Sequence, residues 1–176
     1  MAIYSYKNFA PSYDKSNFIA ESCSVIGRTF LGENANLWHH TVARGDVNSI
    51  EIGNNTNIQD LCMLHVTEKS PLKIGANTSV GHSVTLHGCK VGDGCLIGMG
   101  ATLLDDCEIG DMSLVAAGSV VTPRKKFPPK SMIMGSPARV VRELTDEEIK
   151  FVSNHYKSYM AYANEFNDPS IVKRID

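Results

Sequence analysis

Three histidines in the middle of the chain, His65, His82 and His87, have the type and spacing that point most directly to chemistry. Neutral imidazoles bind zinc, and three of them with a fourth position left to water describe a catalytic rather than a structural site. A zinc ion lowers the pKa of its bound water to about 7 and so supplies hydroxide at neutral pH. The fold must therefore bring these three side chains together around one ion.

The fold can be predicted from an aliphatic residue that recurs at every sixth position. An unbroken stretch of this repeat consists of Val91, Ile97, Leu103, Ile109, Val115 and Val121. A period of six fits neither an α-helix nor an alternating strand, but it fits short strands on the flat faces of a solenoid. Upstream the register continues, with insertions after Ala43 and after Leu64. The chain is therefore predicted to be mainly β, a parallel β-helix with three hexapeptides in each triangular coil.

The same count predicts which side chains stack. Residues three hexapeptides apart lie on neighbouring strands, separated by about 4.8 Å. Counting back from His87 leads to His65 and then to Arg44, which form one column. Counting back from His82 leads to Asp60, which lies on a different face of the prism.

Two columns on different faces of one chain do not meet around one ion, but two chains packed side by side can bring them together. A closed homotrimer does this at each of its interfaces. His65 and His87 of one subunit would share a metal ion with His82 of its neighbour. We therefore predict a homotrimer with interfacial metal sites.

Short motifs in both columns resemble the γ-class carbonic anhydrases, a family of hexapeptide-repeat proteins. The matching motifs are Arg44-Gly45-Asp46, Asn57-Ile58-Gln59-Asp60, Leu64-His65, Val80-Gly81-His82 and Leu86-His87-Gly88-Cys89. The resemblance runs from about Ser12 through the Gly135–Arg139 segment and the terminal helix. It implies a left-handed coil, although the general preference for right-handed crossovers would predict the opposite hand.

The resemblance also implies the reaction and the roles of the site residues. The three histidines would bind zinc, or ferrous iron, which also accepts imidazole. A metal-bound hydroxide would then hydrate CO2 reversibly to bicarbonate. Arg44 and Asp46 would support the subunit interface beside the metal. Gln59 and Asp60 would orient the bound water or bicarbonate, and Asn57 belongs to the same motif.

Efficient hydration also requires a proton to leave the site. Val47 stands where the best-understood γ-class enzymes carry a glutamate, and the loop after His65 is short. Glu68 in that loop is the candidate proton shuttle. Tyr156 is a candidate to reach a neighbouring site from the terminal helix. The short loop is similar to bacterial relatives with weak anhydrase activity, so weak activity is expected.

The repeat ends after Val121, and a helix is predicted beyond it. Thr145-Asp-Glu-Glu148 forms a capping box, and apolar residues at helical spacing continue as far as Phe166. We predict a β-helix with a short N-terminal segment over 1–140. A C-terminal helix and tail over 141–176 would pack along it within the same domain.

Composition excludes several classes of partner. The 17 lysines and arginines against 19 acidic residues give a net charge of −2, so neither nucleic acid nor an anionic membrane is expected as a partner. With no apolar segment of membrane-spanning length and no signal peptide, a cytoplasmic protein is expected. Four of the five cysteines, Cys23, Cys62, Cys95 and Cys107, occupy the small-residue position of the repeat, which predicts buried side chains rather than ligands or nucleophiles.

Two alternatives remain open. A hexapeptide acyltransferase uses the same solenoid and trimer, but it needs one general-base histidine at a coenzyme A groove. A noncatalytic, metal-stabilised trimeric scaffold would bind the ion without turnover. Metal content separates the first alternative from an anhydrase, and an activity assay separates the second.

Overall fold

The computed structural model describes residues 1–175, and Asp176, at the end of the predicted segment 141–176, lies outside the described residues. The chain coils as a left-handed parallel β-helix and ends in two short helices that pack along it. The predicted fold class is confirmed, including the handedness that the family resemblance implied.

Short strands alternate with corners throughout the coil. In chain order, residues 1–175 form β1 (Ala2–Tyr4), β2 (Phe18–Ile19), β3 (Ser24–Leu31), β4 (Asn36–Leu37), β5 (Val42–Ile52), β6 (Asn57–Ile58), β7 (Met63–His65), β8 (Leu72–Ile74), β9 (Ser79–Val80), β10 (Thr85–His87), β11 (Lys90–Val91), β12 (Leu96–Ile97), β13 (Thr102–Leu103), β14 (Glu108–Ile109), β15 (Leu114–Val115), β16 (Val120–Val121), β17 (Lys126–Phe127), β18 (Ser131–Gly135) and β19 (Ala138–Glu143). Apart from β19, which pairs antiparallel with β18, these strands pair in parallel with strands one coil away.

The strands stack on three faces. The first face carries β7, β10, β13 and β16, the second carries β8, β11, β14 and β17, and the third carries β2, β4, β6, β9, β12, β15 and β18. The long strands β3 and β5 run around the corner between the first two faces and join them into one sheet. The predicted insertion after Ala43 lies within β5, where the register against β3 shifts between Gly27 and Thr29.

The aliphatic residues of the repeat fill the centre of the coil, as their period predicts. Leu64, Leu86 and Leu103 stack in register on the first face, and all three are fully buried. Each coil buries the apolar residues of its neighbours, because a single coil cannot cover its own core.

The predicted burial of the four cysteines is confirmed. All five cysteines are buried free thiols. Burial raises the pKa of the thiols of Cys62 and Cys95 to about 12. They are therefore protonated interior residues at neutral pH, where a thiol is a poor nucleophile and a poor metal ligand.

The C-terminal helical segment differs from the single helix that was predicted. It consists of α1 (Asp146–Val152) and α2 (Tyr156–Phe166), separated by a turn at 153–155. Asn154 contributes to this break, because its side-chain Nδ2 donates to the carbonyl of Lys150 at 2.8 Å and competes with helical bonding. The predicted boundary at residue 140 falls inside β19, and the division of the domain there stays a prediction.

The second helix packs on the third face through aromatic rings. Trp38 contacts Tyr159 and Phe166 of α2, with ring centroids 5.5 and 5.1 Å apart. Phe18 contacts the ring of Phe166 at 5.9 Å. The predicted packing of the C-terminal segment along the coil is confirmed. Within residues 1–175, no helix has the length and apolar character needed to cross a bilayer.

An ion pair fastens the start of α1 to β19. The predicted capping box is present, and Arg142 also donates to both carboxylate oxygens of Glu148 at 2.7 Å. The hydrogen bond from Arg142, with help from the Thr145 backbone N–H, lowers the pKa of Glu148 to about 2. A depressed carboxylate pKa stabilises the fold above the unfolded-state value of about 4.5. That contribution is lost as the pH falls towards 2.

We therefore expect Arg142→Ala to lower the melting temperature at pH 7, and this deficit should shrink steadily below about pH 4.5. Thermal unfolding followed by circular dichroism between pH 7 and pH 3 measures this difference in melting temperature. Arg139→Ala is the matched control, because Arg139 is exposed on the same strand. A deficit of constant size across this pH range would show that the Glu148 charge is not its source.

Candidate metal centre

The first column predicted from the repeat is present on the first face. Arg44 of β5 pairs with His65 of β7, and His65 pairs with His87 of β10. The Nδ1 atom of His65 lies 3.1 Å from the Nε2 atom of His87. Two imidazole nitrogens, each about 2.0–2.1 Å from a tetrahedral zinc ion, are separated by about 3.3 Å. The spacing of this pair therefore fits a shared metal ion.

A carboxylate holds the outer nitrogen of His65. The Nε2 atom of His65 lies 3.1 Å from Oδ1 of Asp46. Burial raises the pKa of Asp46, but hydrogen bonds from Arg44, the Val47 backbone N–H and His65 outweigh it and leave the pKa lowered. Asp46 is therefore ionised and accepts the Nε2–H of His65. In a neutral imidazole this leaves the lone pair on Nδ1, which faces His87.

A second carboxylate holds the outer nitrogen of His87. Its Nδ1 atom lies 2.6 Å from Oδ1 of Asp105. A carboxylate accepts this N–H, so the lone pair of His87 is on Nε2 and faces His65. With both imidazoles neutral, this arrangement turns the two lone pairs towards each other. Metal-binding histidines characteristically donate their outer N–H to a carboxylate, and the donor set therefore fits an ion.

The insertion in β5 places Asp46 beside the column. At the preceding residue, Gly45, two coils come very close: a Cβ atom added at Gly27 would lie 2.4 Å from the Gly45 carbonyl oxygen. Gly27 also has a φ of +68°, so glycine is required there on both grounds. Arg44 binds the Asp46 carboxylate, and Arg28 donates to the Asp46 carbonyl at 3.0 Å. The Asp46 segment is thus held by two arginines.

The second predicted column lies at the end of the third face. His82 follows β9, and its Nδ1 atom lies 2.9 Å from Oδ2 of Asp60. Asp60 follows β6, which is paired with β9 one coil away. His82 is 42% exposed, so its ring is accessible at the surface of the subunit.

An aromatic pocket of about 260 Å³ opens beside His82. Trp38 and the α2 residues Tyr159, Tyr162 and Phe166 contribute its rings. The hydroxyl of Tyr159 lies 3.4 Å from Nε2 of His82. Burial raises the pKa of Tyr159, which keeps this hydroxyl protonated at neutral pH.

Gln59 and Asn57 lie next to Asp60 and are buried. The Nε2 of Gln59 donates to Oδ1 of Asn57 at 3.1 Å, and the Nδ2 of Asn57 donates to Oγ of Ser79 at 2.8 Å. One N–H of the Gln59 amide is therefore engaged, and the Oε1 atom on the other side of the amide is the group's acceptor.

Glu68 and Tyr156 lie apart from the three histidines. Glu68 is exposed, and its backbone carbonyl accepts a hydrogen bond from Asn48 at 3.1 Å. Tyr156 is half-buried at the first residue of α2. Among the described residues, neither side chain hydrogen-bonds to a histidine, and their proposed roles stay predictions.

The two columns occupy different faces of the prism, as the repeat predicted. Over residues 1–175 of a single chain, no cluster of three histidine, cysteine, aspartate or glutamate side chains has the geometry of a metal site. Metal binding by His65, His82 and His87 at a subunit interface therefore stays a prediction.

Comparison with known proteins agrees with the predicted fold and family. The model of the family "Bacterial transferase hexapeptide (six repeats)" matches residues 71–104 and 88–123. The carbonic anhydrase of Geobacillus kaustophilus is 43% identical over 158 residues, which span 90% of this chain and 87% of that protein. The chain belongs to the γ-class carbonic anhydrase family. Gamma carbonic anhydrase 2, a mitochondrial protein of Arabidopsis thaliana, is 43% identical over 88% of this chain.

The chain of this γ-class carbonic anhydrase homologue spans 58% of the length of the Arabidopsis protein that it matches. Among solved structures, a hexapeptide transferase family protein from Anaplasma phagocytophilum superposes with a TM-score of 0.89. It is 36% identical, and the match covers 93% of this chain and 96% of that protein.

Two residues that contact the candidate histidines were missed by sequence analysis. Asp105 lies one coil beyond His87, and extending the count from Leu86 to Leu103 would have led to its neighbourhood. Tyr159, rather than Tyr156, reaches His82 within one subunit. The sequence did not indicate which of the two tyrosines points towards His82, because the orientation of both side chains depends on the unpredicted turn at 153–155.

Proposed function

We propose that this protein is a carbonic anhydrase that hydrates CO2 reversibly to bicarbonate at metal sites between the subunits of a homotrimer. The observation that carries the proposal is that Nδ1 of His65 and Nε2 of His87 lie 3.1 Å apart, while a carboxylate contacts the outer nitrogen of each ring. His82 of the neighbouring subunit would complete the ligand set. Zinc is proposed as the ion, with ferrous iron as the alternative that the same ligands accept.

The bound ion would lower the pKa of a coordinated water to about 7 and so supply the nucleophile. The protein's own side chains would orient the metal ligands and the reacting water or bicarbonate. Asp46 and Asp105 keep the outer nitrogens of the two histidines protonated and fix the ring orientations. Gln59 offers Oε1 to orient water or bicarbonate, and Asp60 holds His82. The proposed trimer brings these groups together.

Exposed apolar side chains support the trimer. Val42 and Met63 lie side by side on the strands that carry Arg44 and His65, and they are 37% and 39% exposed. An apolar patch on the face that also carries metal ligands is typical of an interaction surface. In the trimer, Arg44 would pair across the interface with Asp60 of the neighbouring subunit.

Acyl transfer is a second candidate, favoured by the hexapeptide transferase family model and by the Anaplasma structure of that description. An acyltransferase needs one histidine as a general base, and that base need not face a second imidazole. The facing ring nitrogens of His65 and His87, 3.1 Å apart, favour the anhydrase. The predicted cytoplasmic location also stays a proposal; the Arabidopsis relative is described as mitochondrial.

The test is metal content and catalysis of the wild-type protein, purified without added metal. We expect about one ion per subunit, and stopped-flow CO2 hydration faster than that of the chelator-treated protein. Acetyl-coenzyme A consumption with a panel of amine and hydroxyl acceptors runs in parallel. Metal without hydration would overturn the anhydrase in favour of a scaffold. Coenzyme A turnover without metal would overturn it in favour of acyl transfer.

A further inference from the structure

A buried chain of hydrogen bonds connects the C-terminal helical segment to Gln59. His155, immediately before α2, places Nδ1 3.1 Å from Oγ of Ser79 on β9. The chain continues from Ser79 through Asn57 to Gln59, with links of 2.8 and 3.1 Å. Asn57 and Ser79 are fully buried and Gln59 is 3% exposed, so water does not compete for the two links between these three residues.

The environment of Asn57 determines which atoms donate and which accept along this chain of hydrogen bonds. The Nδ2 of Asn57 lies 3.5 Å from the backbone carbonyl of Thr78, which can only accept a hydrogen bond. The amide nitrogen of Asn57 therefore faces Thr78 and Ser79, and its Oδ1 faces Gln59. Gln59 must then present Nε2 to the chain, which leaves Oε1 on the other side of its amide.

The hydroxyl of Ser79 continues this order of donors and acceptors to His155 in the helical segment. Because its Oγ accepts from Asn57, its own O–H is free to donate to Nδ1 of His155. In this direction Nδ1 of His155 is the acceptor, so the proposal requires the tautomer in which Nε2 carries the proton. Burial lowers the pKa of the His155 imidazole. Its ring neighbours are Phe151 of α1 and Tyr159 of α2, with centroids 5.7 and 5.9 Å away, and of these two only Tyr159 is titratable. His155 is therefore neutral at pH 7.

We propose that His155 and Ser79 are positioning residues that hold the amide of Gln59 with its oxygen free for the reacting water or bicarbonate. Without the acceptor on His155, the Ser79 hydroxyl can turn and donate to Asn57 instead. The amide of Asn57 would then flip, because the bond to Thr78 is long and opposes the flip only weakly. Gln59 would follow and present Nε2 to the site. The role in catalysis rests on the proposed hydration activity.

The test compares His155→Phe with His155→Asn. Phenylalanine keeps a ring in this half-buried position but has no acceptor. Asparagine restores one, since its Oδ1 is as many bonds from Cα as Nδ1 of histidine. We expect His155→Phe to lower kcat for CO2 hydration about tenfold, with metal content and KM unchanged. His155→Asn should recover most of kcat, and Ser158→Ala, exposed on α2, is the control.

A second measurement does not depend on hydration. The side-chain NH2 resonances of Gln59 and Asn57 are recorded by ¹⁵N-edited NMR in wild type, His155→Phe and Ser79→Ala. We expect both variants to shift these signals, and His155→Asn to restore them. If the wild type shows no hydration but these shifts appear, the hydration proposal fails while the hydrogen-bond chain stands.

Unchanged NH2 signals in folded His155→Phe would overturn the positioning role. Equal losses of kcat in His155→Phe and His155→Asn would overturn it as well. Combining His155→Phe with Ser79→Ala should cost no more than either change alone, because both break the same chain. Additive losses would mean that the two residues act separately.

Discussion

His82→Ala is expected to lose its metal and its hydration activity together, even though His82 lies on a different face from His65 and His87. A catalytic zinc site characteristically has three protein ligands, and the two imidazoles that remain in one column would bind an ion weakly. We expect metal content to fall from about one ion per subunit to below about one tenth. Hydration should fall to the rate of chelator-treated wild type. Elemental analysis and stopped-flow hydration measure the two quantities.

His40→Asn is the matched control for this loss. His40 is exposed and has a φ of +60°, a conformation that asparagine tolerates. It should keep both metal and activity. Full metal content in His82→Ala would show that His82 is not a ligand and that the two columns do not share an ion.

Asp105→Asn is expected to weaken metal binding about 10- to 100-fold, the usual cost of losing the carboxylate behind a histidine ligand. Asparagine keeps the shape of aspartate but accepts the Nδ1–H of His87 without a negative charge. The ring is then held less firmly, and its Nε2 is a weaker donor to the ion. Competition with a chelator gives the affinity, and the absorption spectrum of the cobalt-substituted protein reports the ligand field.

Asp106→Asn provides the comparison. Asp106 is the next residue, is exposed and has a φ of +58°, so asparagine fits there without strain. Equal affinities for the two variants would mean that Asp105 does not support His87. A loss in Asp105→Asn alone would place the effect on the hydrogen bond to the imidazole.

The column of Arg44, His65 and His87 could be predicted because a solenoid turns sequence spacing into spatial register. Each coil repeats the last, so counting hexapeptides identifies the strand neighbours without any knowledge of tertiary packing. The pairing of His82 with Asp60 followed from the same count.

Other parts of the site depend on contacts that the repeat does not encode. Asp105 follows a strand at a corner, where the direction of the side chain depends on the local turn rather than on the count. The approach of Tyr159 to His82 depends on how α2 packs against Trp38, which is a long-range contact. The turn at 153–155 also places His155 against Ser79. The sequence analysis predicted a single continuous helix here and therefore did not predict this contact.

Mixed trimers made from His82→Ala and His87→Ala subunits test the shared interfacial site most directly. If each site takes His65 and His87 from one subunit and His82 from the next, any ring containing both variants has one interface with all three histidines. Trimers carrying both subunits are purified through two different affinity tags. They should bind about one third of the wild-type metal and hydrate CO2 at about one third of its rate. Neither parent should do so alone. Mixed trimers as empty and inactive as their parents would contradict a site shared between subunits.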